Sequence, residues 1–107
     1  MKALFGSICA AALCAASAAM AQGADPSAGA RLAKAECAAC HAVDDDPAAH
    51  SPEPKAPRFV DVAKMASTTE LSLKVFLRSP HRNMPNILLA PEEIDSVAAY
   101  ILGLRKK

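Results

Sequence analysis

The feature that most constrains this chain is the run Cys37-Ala38-Ala39-Cys40-His41, in which two cysteines three residues apart are followed directly by a histidine. This spacing is the attachment pattern of a c-type haem. On a helix, residues at i and i+3 lie on one face, so both thiols can reach the two vinyl groups of one porphyrin. His41 lies four residues beyond Cys37, and its imidazole can ligate the iron. The sequence therefore predicts covalent haem c on Cys37 and Cys40, with His41 as an axial ligand.

Two other kinds of site use a similar pair of cysteines. A redox dithiol is typical of a surrounding βαβ pattern, which the sequence does not show. A zinc site needs further ligands, but neither a second Cys-x-x-Cys nor a His-x-x-x-His follows. His50 and His81 are the other two histidines, and each stands alone. Haem attachment is favoured because it uses all three residues of the motif.

Residues 1–21 have the features of a secretory signal peptide. Lys2 supplies a positive n-region, an uncharged alanine-rich stretch follows, and Ala19-Met20-Ala21 is a small-x-small cleavage site. We therefore predict cleavage after Ala21, a mature domain over residues 22–107 and a periplasmic location. An uncleaved anchor is the alternative, since the uncharged stretch is nearly long enough to span a bilayer.

Composition limits what the mature chain can do without a cofactor. Outside the predicted signal peptide its aromatic residues are Phe59, Phe76 and Tyr100, and a core built by about 86 residues is marginal by itself. Haem would add a large apolar body, so we expect the haem-free chain to be largely unfolded. The formal net charge is only +1, which gives no support to nucleic-acid binding.

Capping residues and prolines indicate an all-α domain with three main helices and short turns around one haem. Asp25 is a good N-cap and Pro26 suits the first helical position. The run from Ser67 to Glu70 fits a capping box, and Pro91 can open the last helix. The predicted helices cover residues 26 to 40 or 41, 67–79 and 91–104, and residues 58–65 add a turn or two.

Two features of these helices predict how they pack. In the last helix the apolar residues recur at helical spacing, which indicates a buried stripe; they are Ile94, Val97, Ala98, Ile101 and Leu104. Gly29 lies inside the first helix, where glycine costs about 1 kcal/mol relative to alanine. It is either an ordinary tolerated glycine or the site of a close helix crossing, and we favour the crossing.

Residues 42–58 are predicted to form a loop, because four prolines within it forbid a helix. Asp44, Asp45 and Asp46 fit a solvated turn, and their spacing does not favour a metal site. His50 lies in this loop, either as an exposed polar residue or as a distal haem ligand.

Met84 is the best candidate for a second axial ligand. It lies between Asn83 and Pro85 in a proline-rich segment, and a thioether is an established ligand of haem iron. Met65, in a predicted helical turn, and His81 are the competing residues.

Taken together, these features resemble the class I cytochrome c family in its small bacterial secreted form. The similarity covers nearly the whole mature chain. It rests on Gly29 eight residues before Cys37, the haem motif, the Ala56-Pro57-Arg58-Phe59 segment, the Asn83-Met84-Pro85 loop, and the last helix with Tyr100.

The resemblance implies roles for individual residues. Gly29 would mark the crossing of the first and last helices, with Tyr100 packed there. The Pro57 carbonyl would accept a hydrogen bond from His41, and His41 and Met84 would be the axial ligands. Ala33 departs from the pattern, because many relatives have an aromatic residue at that position. The acidic, proline-rich insert over residues 44–55 matches no functional feature of the family.

The resemblance also implies that the protein is a periplasmic one-electron carrier and not itself an enzyme. Its partners would be redox proteins such as a dehydrogenase or an oxidase, with no stable membrane insertion. Lys74, Arg78 and Arg82 are predicted to form a basic rim that steers the protein to an acidic partner; scattered solvated charges are the alternative. Two other functions stay open: a gas-binding or peroxide-reactive haem protein with a labile Met84, and a haem subunit permanently attached to a dehydrogenase or oxidase.

Overall fold

The computed structural model describes residues 23–79, 84–85 and 87–106. These residues form four helices, α1 (Pro26–Glu36), α2 (Phe59–Lys64), α3 (Glu70–Arg78) and α4 (Pro91–Gly103), and a C-terminal 3-10 turn over Leu104–Lys106. Since the described ranges contain no strand, the all-α prediction is confirmed. No helix in these ranges is long and apolar enough to cross a membrane. The predicted signal peptide, His81 and Arg82 lie outside the described residues.

Helix α1 begins where it was predicted to begin but ends earlier. Asp25 caps its first turn as expected. The helix ends at Glu36, so the prediction that it continues to Cys40 or His41 was wrong. The Ala33 carbonyl already accepts a hydrogen bond from the Cys37 N–H, and it also accepts one from the Ala38 N–H at 3.1 Å. The Ala38 N–H thus bonds five residues back, one residue more than in an α-helix. Because this turn contains one residue more than an α-helical turn, the helix ends before the haem motif.

Helix α3 also begins later than predicted. Its N-cap is Thr69 and not Ser67, and the capping box is completed by Ser72 and not by Glu70. Thr68 is buried, and its hydroxyl donates to the Val62 carbonyl at 2.6 Å. Because this hydrogen bond attaches Thr68 to α2, helix α3 begins only after Thr68.

Helix α4 is the centre of the fold. It packs most extensively on α1 and also on α3 and α2. The predicted buried stripe is confirmed, because its members are at most 4% exposed; they are Ile94, Val97, Ala98, Ile101 and Leu104. Every other described helix therefore depends on α4 for its core contacts.

The crossing of α1 and α4 leaves no room for a side chain on Gly29. A Cβ atom there would overlap the Ser96 carbonyl oxygen and would lie 2.9 Å from the Val97 nitrogen. Beside the crossing, the Asp25 N–H donates to the Ser96 hydroxyl at 3.1 Å. The predicted close crossing is therefore confirmed, and it involves backbone on the α4 side.

The C-terminal turn binds the end of α2. Arg105 donates to the carbonyls of Ala63 and Thr68, both at 2.7 Å. Its guanidinium thus binds one carbonyl in the last turn of α2, that of Ala63, and one in the segment before α3, that of Thr68.

Candidate haem-binding site

A cavity of about 510 Å³ lies between the haem motif, the segment before α2 and the segment before α4. Its volume falls within the usual range of about 300–1,000 Å³ for ligand pockets. Its lining includes every residue predicted to hold or orient haem: Cys37, Cys40, His41, Pro57 and Met84. The other lining residues are Glu36, Ala39, Glu53, Lys55, Ala56, Pro85 and Ile87.

The motif forms a compact turn directly after α1. The Cys37 carbonyl accepts hydrogen bonds from the N–H of Cys40 at 3.2 Å and from that of His41 at 2.9 Å. The second of these bonds is one isolated α-helical turn, so Cys37 and His41 keep the spacing that a helix would give them. The two thiols and the imidazole therefore face one cavity although α1 has ended.

The chemistry of Cys37 does not suit a redox dithiol. Burial, together with the nearby Glu36 carboxylate, raises the pKa of the Cys37 thiol. Redox-active cysteines have the opposite property, a lowered pKa that favours the thiolate. Cys37 and Cys40 are not joined by a disulfide.

His41 is held on one ring nitrogen and leaves the other available. Its Nδ1 lies 2.7 Å from the Pro57 carbonyl oxygen. Because a carbonyl can only accept, Nδ1 must donate, and the lone pair of the neutral ring is then on Nε2. The buried ring of Phe59 lies 5.2 Å from the imidazole, centroid to centroid, at an angle of 52°. The imidazole is thus oriented from two sides with Nε2 available for a metal.

Met84 lies at the same cavity, whereas Met65 and His50 are absent from its lining. It also lines a smaller adjoining cavity of about 20 Å³, together with Leu32, Leu77 and Val97 of the helices. Met65 is 52% exposed, and His50 lines a separate surface groove. His81 is outside the described residues. Two thiols, an imidazole with a free Nε2 and a thioether around one cavity are a donor set that fits haem c.

A family comparison decides what kind of protein this is. The family model for cytochrome c matches residues 26–105, a range that includes all four helices and the whole lining of the cavity. The chain belongs to the cytochrome c family. It is also 39% identical over 98 residues to cytochrome c-552 of Bradyrhizobium diazoefficiens, covering 92% of each chain. No solved structure matches it.

Family membership means that this cytochrome contains covalently bound haem c and is an electron-transfer protein. The regular structure fits that assignment, since α1, α3 and α4 are the three main helices and α2 is short.

Two contacts that hold the residues after the motif were not predicted from the sequence, although Tyr100 itself was expected to pack at the helix crossing. The Tyr100 hydroxyl donates to the Val43 carbonyl at 2.6 Å, so Tyr100 joins α4 to the residues that follow the motif. Burial, with a smaller contribution from the Asp44 and Asp45 carboxylates, raises the pKa of Tyr100, which keeps the phenol a donor. The Ser51 hydroxyl accepts from the Ala42 N–H at 3.0 Å. A hydroxyl in a proline-rich loop gives no sequence signal for such a contact.

One of the three residues predicted to form a basic rim, Lys74, is paired with carboxylates. Lys74 binds the Glu70 carboxylate at 2.6 Å and Asp95 of α4 at 3.1 Å, and both hydrogen bonds raise the pKa of the lysine. Two carboxylates thus neutralise its charge locally, and the pair with Asp95 links α3 to α4. Arg78 is exposed, and Arg82 lies outside the described residues.

Proposed function

We propose that this cytochrome is a periplasmic one-electron carrier with six-coordinate haem. Cys37 and Cys40 would hold haem by thioether bonds, and His41 and Met84 would be the axial ligands. The observation that most supports this is that all four side chains line one cavity. When bound, haem supplies the ferric/ferrous couple.

The chain itself would orient the ligands and exclude water. The Pro57 carbonyl keeps the Nδ1 proton of His41 in place and makes the ring a better donor. Met84 offers a soft neutral sulfur, which favours the ferrous state and raises the potential relative to a second histidine. Apolar residues such as Ala39, Pro85 and Ile87 form part of the lining, and apolar surroundings of haem disfavour the more charged ferric state.

The test is the visible spectrum of the exported protein, ferric and ferrous, with and without carbon monoxide. We expect a c-type ferrous spectrum, a weak ferric sulfur-to-iron band and no response to carbon monoxide. A spectrum that changes promptly with carbon monoxide would contradict the carrier with His/Met ligation and would favour a gas-binding or peroxide-reactive protein. The mass of the same protein tests export, since cleavage after Ala21 predicts a chain that begins at Gln22.

The proposed partner is a redox protein with an acidic docking patch, recognised through Arg78 and Arg82. Reversing both charges, in Arg78→Glu with Arg82→Glu, is expected to slow reduction by the partner and to invert the salt dependence of the rate, because screening weakens attraction and repulsion alike. Stopped-flow kinetics at several ionic strengths measure both effects.

Lys106→Glu is the control for this double variant, because it reverses a charge on the C-terminal turn, away from the cavity lining. If the double variant behaved like Lys106→Glu, the charges would be solvated and without a steering role. Co-purification of a large partner would instead favour a permanent haem subunit.

A further inference from the structure

The acidic, proline-rich segment that matched no family feature forms one wall of the cavity. Glu53 and Lys55 of this segment line it, followed by Ala56 and Pro57. One backbone hydrogen bond attaches this segment to the haem motif, from the Glu53 N–H to the Cys40 carbonyl at 3.1 Å. A second joins the first residue of α2 to the residue after the motif, from the Phe59 N–H to the Ala42 carbonyl at 2.9 Å. The position of the Pro57 carbonyl therefore depends on how this loop is held.

One side chain holds both ends of the loop. The Arg58 guanidinium binds Asp61 through two hydrogen bonds, Nε to Oδ2 at 2.8 Å and Nη2 to Oδ1 at 2.9 Å. Its Nη1 donates to the Pro47 carbonyl at 3.0 Å and to the Ala49 carbonyl at 3.5 Å. The carboxylate of α2 thus fixes the plane of the guanidinium, and the guanidinium fixes the start of the loop.

Arg58 directly follows Pro57, so the hydrogen bonds of its guanidinium act next to the carbonyl that accepts from His41. These contacts need arginine. Its planar guanidinium binds a carboxylate with two N–H groups and still offers further donors, whereas the lysine ammonium is a compact charge. Arg58 does not line the cavity. An effect of Arg58 on haem would therefore be indirect, and we expect it to act through the carbonyl of the preceding residue, Pro57.

We infer that Arg58 is a positioning residue that sets the reduction potential by holding the Pro57 carbonyl on His41, an inference that rests on the proposed function because it takes His41 as the iron ligand. When the carbonyl moves away, the imidazole becomes a weaker donor. A weaker donor stabilises the ferric state less, so the potential rises. The acidic loop then has a role, which is to carry the Pro57 carbonyl at a fixed distance from the ligand.

Arg58→Lys tests this in the full holoprotein, because it keeps the positive charge and removes the planar guanidinium. We expect the equilibrium for reduction to shift about threefold toward ferrous haem, which is roughly 30 mV at 59 mV per tenfold for one electron. We also expect the His41 ring N–H to exchange faster with solvent in the ferrous protein, measured by NMR. Both readouts report on the hydrogen bond and not on stability.

Arg105→Lys is the matched control, since Arg105 also donates to two carbonyls, but these lie at the end of α2 and just before α3. It is expected to lower stability without moving the potential or the His41 exchange rate. If Arg58→Lys only lowered the free energy of unfolding, like Arg105→Lys, the inference would be wrong. Prompt carbon monoxide binding by the unsubstituted protein would contradict Met84 as an axial ligand but would leave the role of Arg58 open. The exchange rate of the His41 ring N–H would still test that role.

Discussion

Gly29→Ala is expected to destabilise the holoprotein by about 3 kcal/mol or more, at the upper end of the usual cost of overpacking. The new methyl group would overlap the Ser96 carbonyl oxygen, which is backbone inside α4 and cannot rotate away. Relief requires α1 and α4 to separate, and that interface is the most extensive one in the described fold. Because small domains are stable by only about 5–15 kcal/mol, we expect a low yield of folded protein. Denaturant unfolding measures the loss.

Gly103→Ala provides the matched control for that substitution. A Cβ atom at Gly103 has no neighbour within 4 Å, and this residue is the last of α4. The same chemical change there is expected to leave stability unchanged or to raise it by a few tenths to about 1 kcal/mol. Equal stability of the two variants would contradict the tight crossing.

Met84→Ala is expected to open one axial position of the iron. The ferric sulfur-to-iron band should disappear, carbon monoxide should bind promptly to the ferrous protein, and the potential should fall by more than about 59 mV, a tenfold change in the redox equilibrium. The physical reason is the loss of a soft ligand that favours ferrous haem. Absorption spectra and a redox titration measure these changes.

Met65→Ala is the control for Met84→Ala, since Met65 is 52% exposed and lies outside the lining of the cavity. We expect it to keep the unsubstituted spectrum and to stay unreactive with carbon monoxide. If Met84→Ala also kept the unsubstituted spectrum and stayed unreactive with carbon monoxide, another side chain would be the second axial ligand. Substituting His50 and His81 in turn would then identify it.

The sequence predicts those parts of this protein that depend on local chemistry. The haem motif, the Asp25 cap and the buried stripe of α4 are each defined by residue types at fixed spacing, and the structure contains the cap and the stripe as expected. The helix crossing at Gly29 was also predictable, because a glycine inside a helix has a cost that a close approach explains.

Features that depend on contacts between different elements could not be predicted in this way. Helix α3 starts at its observed residue because Thr68 binds the Val62 carbonyl, a contact that exists only once α2 has packed. Lys74 looked like a free surface charge because Asp95 is on another helix. Arg58 looked like an ordinary helix-start residue, since the carbonyls it binds belong to a loop with no regular pattern.

The central place of α4 has a consequence for the order in which the molecule is completed. Among the described helices, α1 contacts α4 but has no comparable interface with α2 or α3, so the N-terminal part has little to pack against until the last helix is present. Since a chain is synthesised from its N-terminus, Cys37 and Cys40 emerge well before the helix that completes the core. Cys37 is buried in the finished fold. We therefore expect haem to be attached before α4 docks, so that docking of α4 closes the protein around a cofactor that is already bound.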